Sequence, residues 1–581
     1  MTENQESEGL DSICEEAYGG HLKGREALAR WQSKLGENPF ELHQDLQHSV
    51  GMYFPDNQSL VQRLSKLGSR IPSLESAASE NDFRLNLPRL EPYDGIGRRV
   101  EQIIHHPSYD ECGNIIYGTS MMKIMSEPGG LLESLCHFYL TSMAGEAGHN
   151  CPVACTAGIL RIFQKTPDFP GKEAFLEKLL NPSFRDNYTG AQFLTEVQGG
   201  SDVGLNAVLA KEEDGIWKIS GEKWFCSNAN ADLILLTARF DENREGTGGL
   251  GLFLVPRHLK DGSLNRYTLR RLKEKLGTRS MASGEIDFRE AEAIAMGEIS
   301  DGFKMVMEHV LNLSRIYNTF TVSAMARRAY QVARAYALER VAFGKPILEY
   351  PLVQETLATI RCENTAIQAA AFHLTHLQDE LDLSEESSEV SKKKKLLARL
   401  LTNAIKYISS SWSVGHIRQS IEVLGGNGAI ESFSTLPRLF RDSIVCENWE
   451  GTHNTLRAQV LRDILRYRIH EHFFTHISQL IAKQPGIPEA DTLEKLLEEA
   501  QTEVQELCDH NPAQQSLQIR EVLDKFCILF LGTALAVEAL DQMSQGIHTK
   551  NDCLHLFLML HAQKSSEILD RDRLELITAI A

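Results

Sequence analysis

The chain has 581 residues, 24% charged and 42% hydrophobic, with a formal net charge of −19. That composition excludes collagen-like, coiled-coil and disordered chains. No stretch reaches the ~18 apolar residues of a membrane helix; the longest, Cys527–Val537, is broken by Gly532 and Thr533. The acidic start MTENQESEGLDSICEEAYGG has neither the Arg-rich nor the apolar stretch of a leader. Eleven cysteines without a paired framework read as reduced thiols, so a cytoplasmic protein is expected. Cys151 and Cys155 have no second Cys/His pair at ligand spacing and read as a helix-packed pair, so no metal is expected.

In chain order, residues 26–182 carry helical periodicity, seen in Leu131, Leu132, Leu135, Cys136, Tyr139 and Leu140. The period then shortens. Gln192–Thr195, Asn206–Lys211, Ile216–Ser220, Leu233–Thr237 and Gly251–Val255 predict strands, and Asp214-Gly215 is a strong hairpin signal. Residues 191–297 are therefore read as an antiparallel β domain. Long helices return after Gly302: one from Phe303 to about Val341, stopped by Phe343-Gly344-Lys345-Pro346, then Val353–Leu381, Lys393–Leu424 and Thr452–Arg468. The Lys392–Lys395 run after LDLSEESSEVS reads as a solvated loop. The last segment, 469–581, is helical, with a stripe from Leu493 to Leu507 beginning after Asp491 as a plausible cap. Residues 471–581 hold 8 Lys+Arg against 18 Asp+Glu, a net of −10. The fold class is mixed α and β, in four parts: 1–190, 191–297, 298–468 and 469–581.

Four segments could carry chemistry. Gln192–Asp202 (QFLTEVQGGSD) runs a strand into a Gly-Gly-Ser turn whose amides can face an anion, although most such turns are only turns. Gly221–Asn228 (GEKWFCSN) offers either core aromatics or a stacking wall with a hydroxyl at its edge. In Arg340–Pro346 (RVAFGKP) the Arg fork suits phosphate oxygens, or caps carbonyls. Glu422–Gly428 (EVLGGNG) allows close backbone approach, and Asn448–Thr455 (NWEGTHNT) places Glu450 at a helix junction. A glutamate there is either solvated or, if buried, a base with a raised pKa.

The succession TEVQGGSD, GEKWFCSN, RVAFGKP, EVLGGNG and WEGTHNTLR, together with LKEKLGTRSMASGEIDF, resembles the acyl-CoA dehydrogenase family over residues 100–468. EAGHNCPV at Glu146–Val153 and the form TE-x-QGGSD are similar to the AidB-like branch. The resemblance implies an N-terminal helical domain, a middle β domain and a C-terminal four-helix bundle, with FAD between the last two. It implies Phe193, Leu194, Thr195, Ser201, Phe225 and Ser227 beside the flavin. It also implies that Arg340, Phe343, Gln354, Glu422, Gly425 and Gly426 hold the ADP half across a subunit interface of a homo-oligomer. Thr452 and Asn454 are implied as further FAD contacts, and Ser201, Arg315, Trp449 and Gly451 as substrate contacts. Glu450 matches the catalytic base, and Ser314 excludes the alternative position used by some members. The implied reaction is α,β-dehydrogenation of an acyl-CoA thioester, with an electron-transfer flavoprotein as acceptor.

Two departures bear on this. Trp449 replaces the usual Tyr, and Val197-Gln-Gly-Gly replaces Pro-Gly-Ala-Gly. Two other functions stand beside this one: a DNA-associated flavoprotein with little turnover, as the AidB-like likeness could imply, or an acyl-CoA binding and sequestering protein that keeps the pocket with slow chemistry. The acidic chain, and the −10 tail above all, speaks against nucleic acid, which needs clustered Lys/Arg.

Overall fold

A computed structural model describes residues 23–385, 388–483, 486–562 and 571–581. The acidic N-terminal stretch MTENQESEGLDSICEEAYGG lies outside the described residues.

The N-terminal part is helical, as its periodicity predicts. Its two long helices are α1, Leu131–Met143, and α2, Ala147–Lys165. Every α1 residue except Glu133 is buried, which fits its near-continuous apolar sequence. Helical periodicity gave no sign of one hairpin in this part, β1 Arg89–Tyr93 paired antiparallel with β2 Arg99–Ile104.

The middle part contains β3 Gly190–Phe193, β4 Leu209–Glu213, β5 Ile216–Ser227, β6 Leu233–Arg239, β7 Leu250–Pro256, β8 Tyr267–Leu272 and β9 Ser283–Ala295. Asp214 (φ 53°) and Gly215 (φ 78°) form the two-residue turn joining β4 to β5, as the Asp-Gly signal predicts. The sheet is not purely antiparallel. β3 and β4 both pair parallel with β6, while the other pairings are antiparallel. The pairings β4–β5–β9–β7–β6–β4 close the sheet on itself around a core that includes Phe193, Phe253 and Phe288. Parallel pairs require long connections, and local alternation carries no record of them.

The bundle is built on α3, Asn312–Glu339, preceded by one helical turn at Gly302–Met305 and a π-helical stretch at Val306–Leu311. The helix ends at Glu339, before the predicted stop. Phe343 (φ 51°) and Gly344 (φ 90°) instead form the turn of a small hairpin, Val341–Ala342 with Lys345–Pro346. Then follow α4 Pro351–Leu383, α5 Glu389–Val423, α6 Leu436–Asn448 and α7 His453–Tyr467. Lys392–Lys395 lies inside the first turns of α5, not in a loop.

The final segment comprises α8 Ile469–Lys483, α9 Ala490–Asp509, α10 Pro512–Ser544, α11 Thr549–His561 and α12 Arg571–Ile580. The cap of α9 is Glu489, not Asp491. These helices cover the bundle face made by α4 and α5. Tyr407 of α5 donates to Asp524 of α10 (2.5 Å), and Glu363 of α4 accepts from His416 and from His561 of α11. Among the described residues, no helix is long and apolar enough to cross a membrane.

Candidate active site

A cleft of about 1760 Å³ runs between the β domain and the bundle. Its β wall is set by strand alternation. Phe193 is fully buried in the barrel core, so its neighbours Gln192 and Leu194 take the opposite face and line the cleft with Thr195. This corrects the expected placement of Phe193. The backbone N–H of Trp224 donates to the Thr195 carbonyl (2.9 Å), which joins the first two motifs into one wall.

The turn after Thr195 is anchored by Glu196, an unpredicted residue. Its buried carboxylate accepts from the Ala207 and Val208 amides, from Gln198 Nε2 (2.8 Å) and from the fully buried Lys223 Nζ (2.7 Å). Beyond it, Ser201 lines the cleft with its Oγ 3.5 Å from Thr455 Oγ1. Phe225 is 52% exposed on the cleft wall, and Ser227 Oγ lies 3.2 Å from Ser283 Oγ. Lys273 Nζ stands 3.5 Å from the Trp224 ring centroid and 4.9 Å from that of Phe225 while donating to Glu285.

The bundle wall carries Glu450. Helix α6 ends at Asn448 and α7 begins at His453, so the chain turns between them over four residues. It does so with Glu450 at φ 58° and Gly451 at φ 101°. Two buried cations hold this turn by its backbone. Arg315 Nε donates to the Glu450 carbonyl (3.0 Å), and its Nη1 donates to Asn403 Oδ1 (2.6 Å). Lys406 Nζ donates to the Glu447 (2.9 Å) and Gly451 (2.8 Å) carbonyls. The Glu450 carboxylate is left over: Oε2 is buried and has no hydrogen-bond partner among the described residues. The Glu450 amide N–H likewise donates to no described group.

Burial raises the Glu450 pKa above its ordinary value, and the Arg315 and Lys406 charges oppose the rise. Burial also brings Arg315 down to about 10 and Lys406 down to about 8, against the pull of Glu450 in each case. Trp449, Gly451 and Thr452 line the same cleft, and Asn454 lines a smaller neighbouring pocket of about 300 Å³ with Thr452. Cys151 and Cys155 of α2 face the cleft as well.

The cleft therefore gathers Leu194, Thr195, Ser201, Phe225, Ser227, Arg315, Trp449, Glu450, Gly451 and Thr452. It does not gather Arg340, Phe343, Gln354, Glu422, Gly425 and Gly426, none of which lines it. Arg340 and Gln354 flank the exposed hairpin at the end of α3. Phe343 at its tip is 98% exposed. Glu422, Gly425 and Gly426 are exposed at the end of α5, where Asn427 Nδ2 reaches Tyr336 Oη of α3 (3.2 Å). Gln354 Oε1 accepts from Thr578 Oγ1 (3.4 Å).

Three family models match, in the order of the structural parts: the adaptive response protein AidB N-terminal domain over residues 32–185, the acyl-CoA dehydrogenase middle domain over 191–291 and the acyl-CoA dehydrogenase C-terminal domain over 300–465. AidB of Escherichia coli (strain K12) is 31% identical over 419 residues, 69% of this chain and 73% of AidB. The chain belongs to the acyl-CoA dehydrogenase family. Within it, the N-terminal match places the chain in the AidB-like branch. Acyl-CoA dehydrogenase family member 11 of Caenorhabditis elegans is 30% identical over 443 residues, 73% of this chain and 70% of that one. The fold likeness extends to the crystal structure of C. elegans ACDH-11 in complex with C11-CoA (TM-score 0.79, 24% identity, 94% and 91% of the two chains). It extends also to a Bacillus anthracis acyl-CoA dehydrogenase complexed with FAD (TM-score 0.65, 16% identity, 94% and 87%). The ACDH-11 match spans nearly the whole chain, so the acyl-CoA dehydrogenase fold here includes the helices after residue 468.

Proposed function

We propose that this protein is an FAD-dependent acyl-CoA dehydrogenase in which Glu450 removes the α-proton of an acyl-CoA thioester. One observation carries the reading: a carboxylate in the inter-domain cleft whose Oε2 is buried and unpartnered, while the cations around it are occupied with backbone carbonyls. An unsatisfied buried carboxylate oxygen is costly to maintain, and it calls for a ligand proton. FAD, when bound, supplies the acceptor for the β-hydride.

The cleft residues fit such a cofactor. Phe225 offers an exposed ring face, Ser227 and Thr195 offer hydroxyls at the edge of that wall, and the cleft is large enough for a flat cofactor and a thioester together. The chain's own residues then divide the work. The free Glu450 amide N–H is available to the thioester oxygen, an interaction worth roughly 3–4 kcal/mol for one oxyanion donor. Arg315 and Lys406 fix the backbone that presents both groups. Trp449 narrows the wall beside the base.

Arg340, Phe343, Gln354, Glu422, Gly425 and Gly426 are read as the contribution of one protomer to the FAD of its partner. Arg340, Phe343, Glu422, Gly425 and Gly426 are exposed and Gln354 is half-buried, all at the end of the bundle and away from the cleft of their own chain, which supports a homo-oligomer. An electron-transfer flavoprotein is the proposed acceptor and the cytoplasm the proposed location, in keeping with the free cysteines. The test is anaerobic addition of a panel of acyl-CoAs to the purified yellow protein. The flavin absorbance should bleach with at least one of them. A protein that binds acyl-CoA and never bleaches would instead be a sequestering member of the family.

A further inference from the structure

Lys406 lies in the helical run LLTNAIKYISS, fully buried between apolar neighbours. A lysine buried so deeply normally pairs with a carboxylate. Lys406 forms no salt bridge among the described residues, and both of its hydrogen bonds go to main-chain carbonyls. These carbonyls flank the base on either side. Glu447 belongs to the last turn of α6, where unpaired carbonyls carry partial negative charge. Gly451 directly follows Glu450. One ammonium therefore bridges the turn from the end of α6 to the residue after the base, while Arg315 takes the carbonyl of the base itself. A glutamate at φ 58° persists only where its surroundings over-determine it, and here three backbone carbonyls within five residues are fixed by two buried cations.

We propose that Lys406 is the positioning residue of Glu450: by holding the Glu447 and Gly451 carbonyls it locks the left-handed turn that aims the carboxylate into the cleft. The inference rests on the reading of Glu450 as the base. The charged and titratable groups around Glu450 are Arg315 from α3, Lys406 from α5 and Cys155 from α2. Those around Lys406 are Glu450, Arg315, Cys446 and Glu447, with His453 of α7 close by. Arg315 and Lys406 are the two groups that pull the Glu450 titration downward, so loss of Lys406 must move it upward.

The test uses the full-length, FAD-loaded protein as wild type, Lys406→Met and Lys406→Gln. Two quantities are followed against pH. One is the rate of anaerobic flavin bleaching by acyl-CoA. The other is the protonated-carboxyl infrared band assigned to Glu450 by its loss in Glu450→Gln, which needs no turnover. In Lys406→Met the band should persist to higher pH than in wild type, and bleaching near neutral pH should slow at least about tenfold, since small misplacements of a catalytic group cost up to about a hundredfold. Lys406→Gln keeps an N–H for one carbonyl but no charge. Its bleaching rate should recover at high pH while its band still titrates late. A merely structural lysine would lower flavin content or solubility without moving the band.

An infrared midpoint and bleaching rate unchanged in Lys406→Met would overturn the proposal. If that variant does not fold, an unchanged midpoint in Lys406→Gln would do the same. If no acyl-CoA bleaches even the wild type, the dehydrogenase reading fails, while the infrared midpoints still decide whether Lys406 sets the titration of Glu450.

Discussion

Two turns in this molecule each bring a glutamate beside a fully buried lysine, and they produce opposite chemistry. In the turn after β3, Lys223 points at the Glu196 carboxylate, which also collects two backbone amides and a glutamine amide. That carboxylate is consumed as an anchor for the cleft wall. In the turn between α6 and α7, Lys406 points past the Glu450 carboxylate to the carbonyls on both sides of it, and the carboxylate stays unpartnered. The residue types are the same, and the direction of the ammonium separates a structural pair from a reactive site. Buried charge is tolerated in both turns because every cation has oxygen partners.

The largest effect on stability should come from breaking the first pair. Lys223→Met leaves Glu196 buried without its cation, and loss of one partner of a buried pair costs about 3–5 kcal/mol. Urea unfolding followed by tryptophan fluorescence would measure it, with Trp217 and Trp224 both on β5. The double variant Glu196→Gln, Lys223→Met should recover much of the loss. A single variant as stable as wild type would mean that Glu196 is held by its amides alone.

Arg340→Ala comes next. Loss of an arginine–phosphate contact is worth about 1.5–3 kcal/mol, or about 10–150-fold in FAD affinity. The proposed cross-subunit placement predicts weaker assembly together with weaker flavin retention. A stable monomer that keeps its FAD would refute that placement.

The second turn makes a smaller prediction with a definite sign. Because burial raises the folded-state pKa of Glu450 above the ordinary 4.5, ionising it destabilises the fold as pH rises from 4.5 through the raised value. Glu450→Gln should therefore be more stable than wild type in flavin-free protein at neutral pH, and the difference should vanish below about pH 4.5. Thermal unfolding at both pH values checks this, and a less stable variant at neutral pH would mean the carboxylate is satisfied after all. The weakest effect expected is on nucleic acid. With a net charge of −19, duplex binding near 0.15 M salt should be negligible, whereas submicromolar affinity with a steep salt slope would favour a DNA-associated role.

Much of this architecture was legible in the sequence because helical and strand periods differ. The long helices, the switch to short strands and the Asp-Gly hairpin are local signals. The parallel pairings of β3 and β4 with β6 join distant segments and leave no local trace. Phe193 shows a different limit. Alternation along β3 puts Gln192 and Phe193 on opposite faces, and with Gln192 on the cleft Phe193 enters the barrel core, a parity that a motif carried over as a block ignores. Lys406 and Glu196 escaped because neither sits at a motif position known to hold cofactor. A lone lysine inside an apolar helical run was the available signal. Motif resemblance could name Glu450, but only the structure shows which groups hold its backbone and which leave its carboxylate alone.

The most direct test compares anaerobic flavin reduction by acyl-CoA in wild type and Glu450→Gln across pH. The wild-type rate should rise with pH through the raised pKa of Glu450, since only the carboxylate accepts the α-proton. Glu450→Gln should retain flavin and bind acyl-CoA, yet reduce flavin about 10²–10⁴-fold slower than the wild-type plateau, the span of general-base catalysis, with no rise across that pH range. A Glu450→Gln rate within tenfold of wild type, or a wild-type rate flat with pH, would contradict the account and move the base elsewhere.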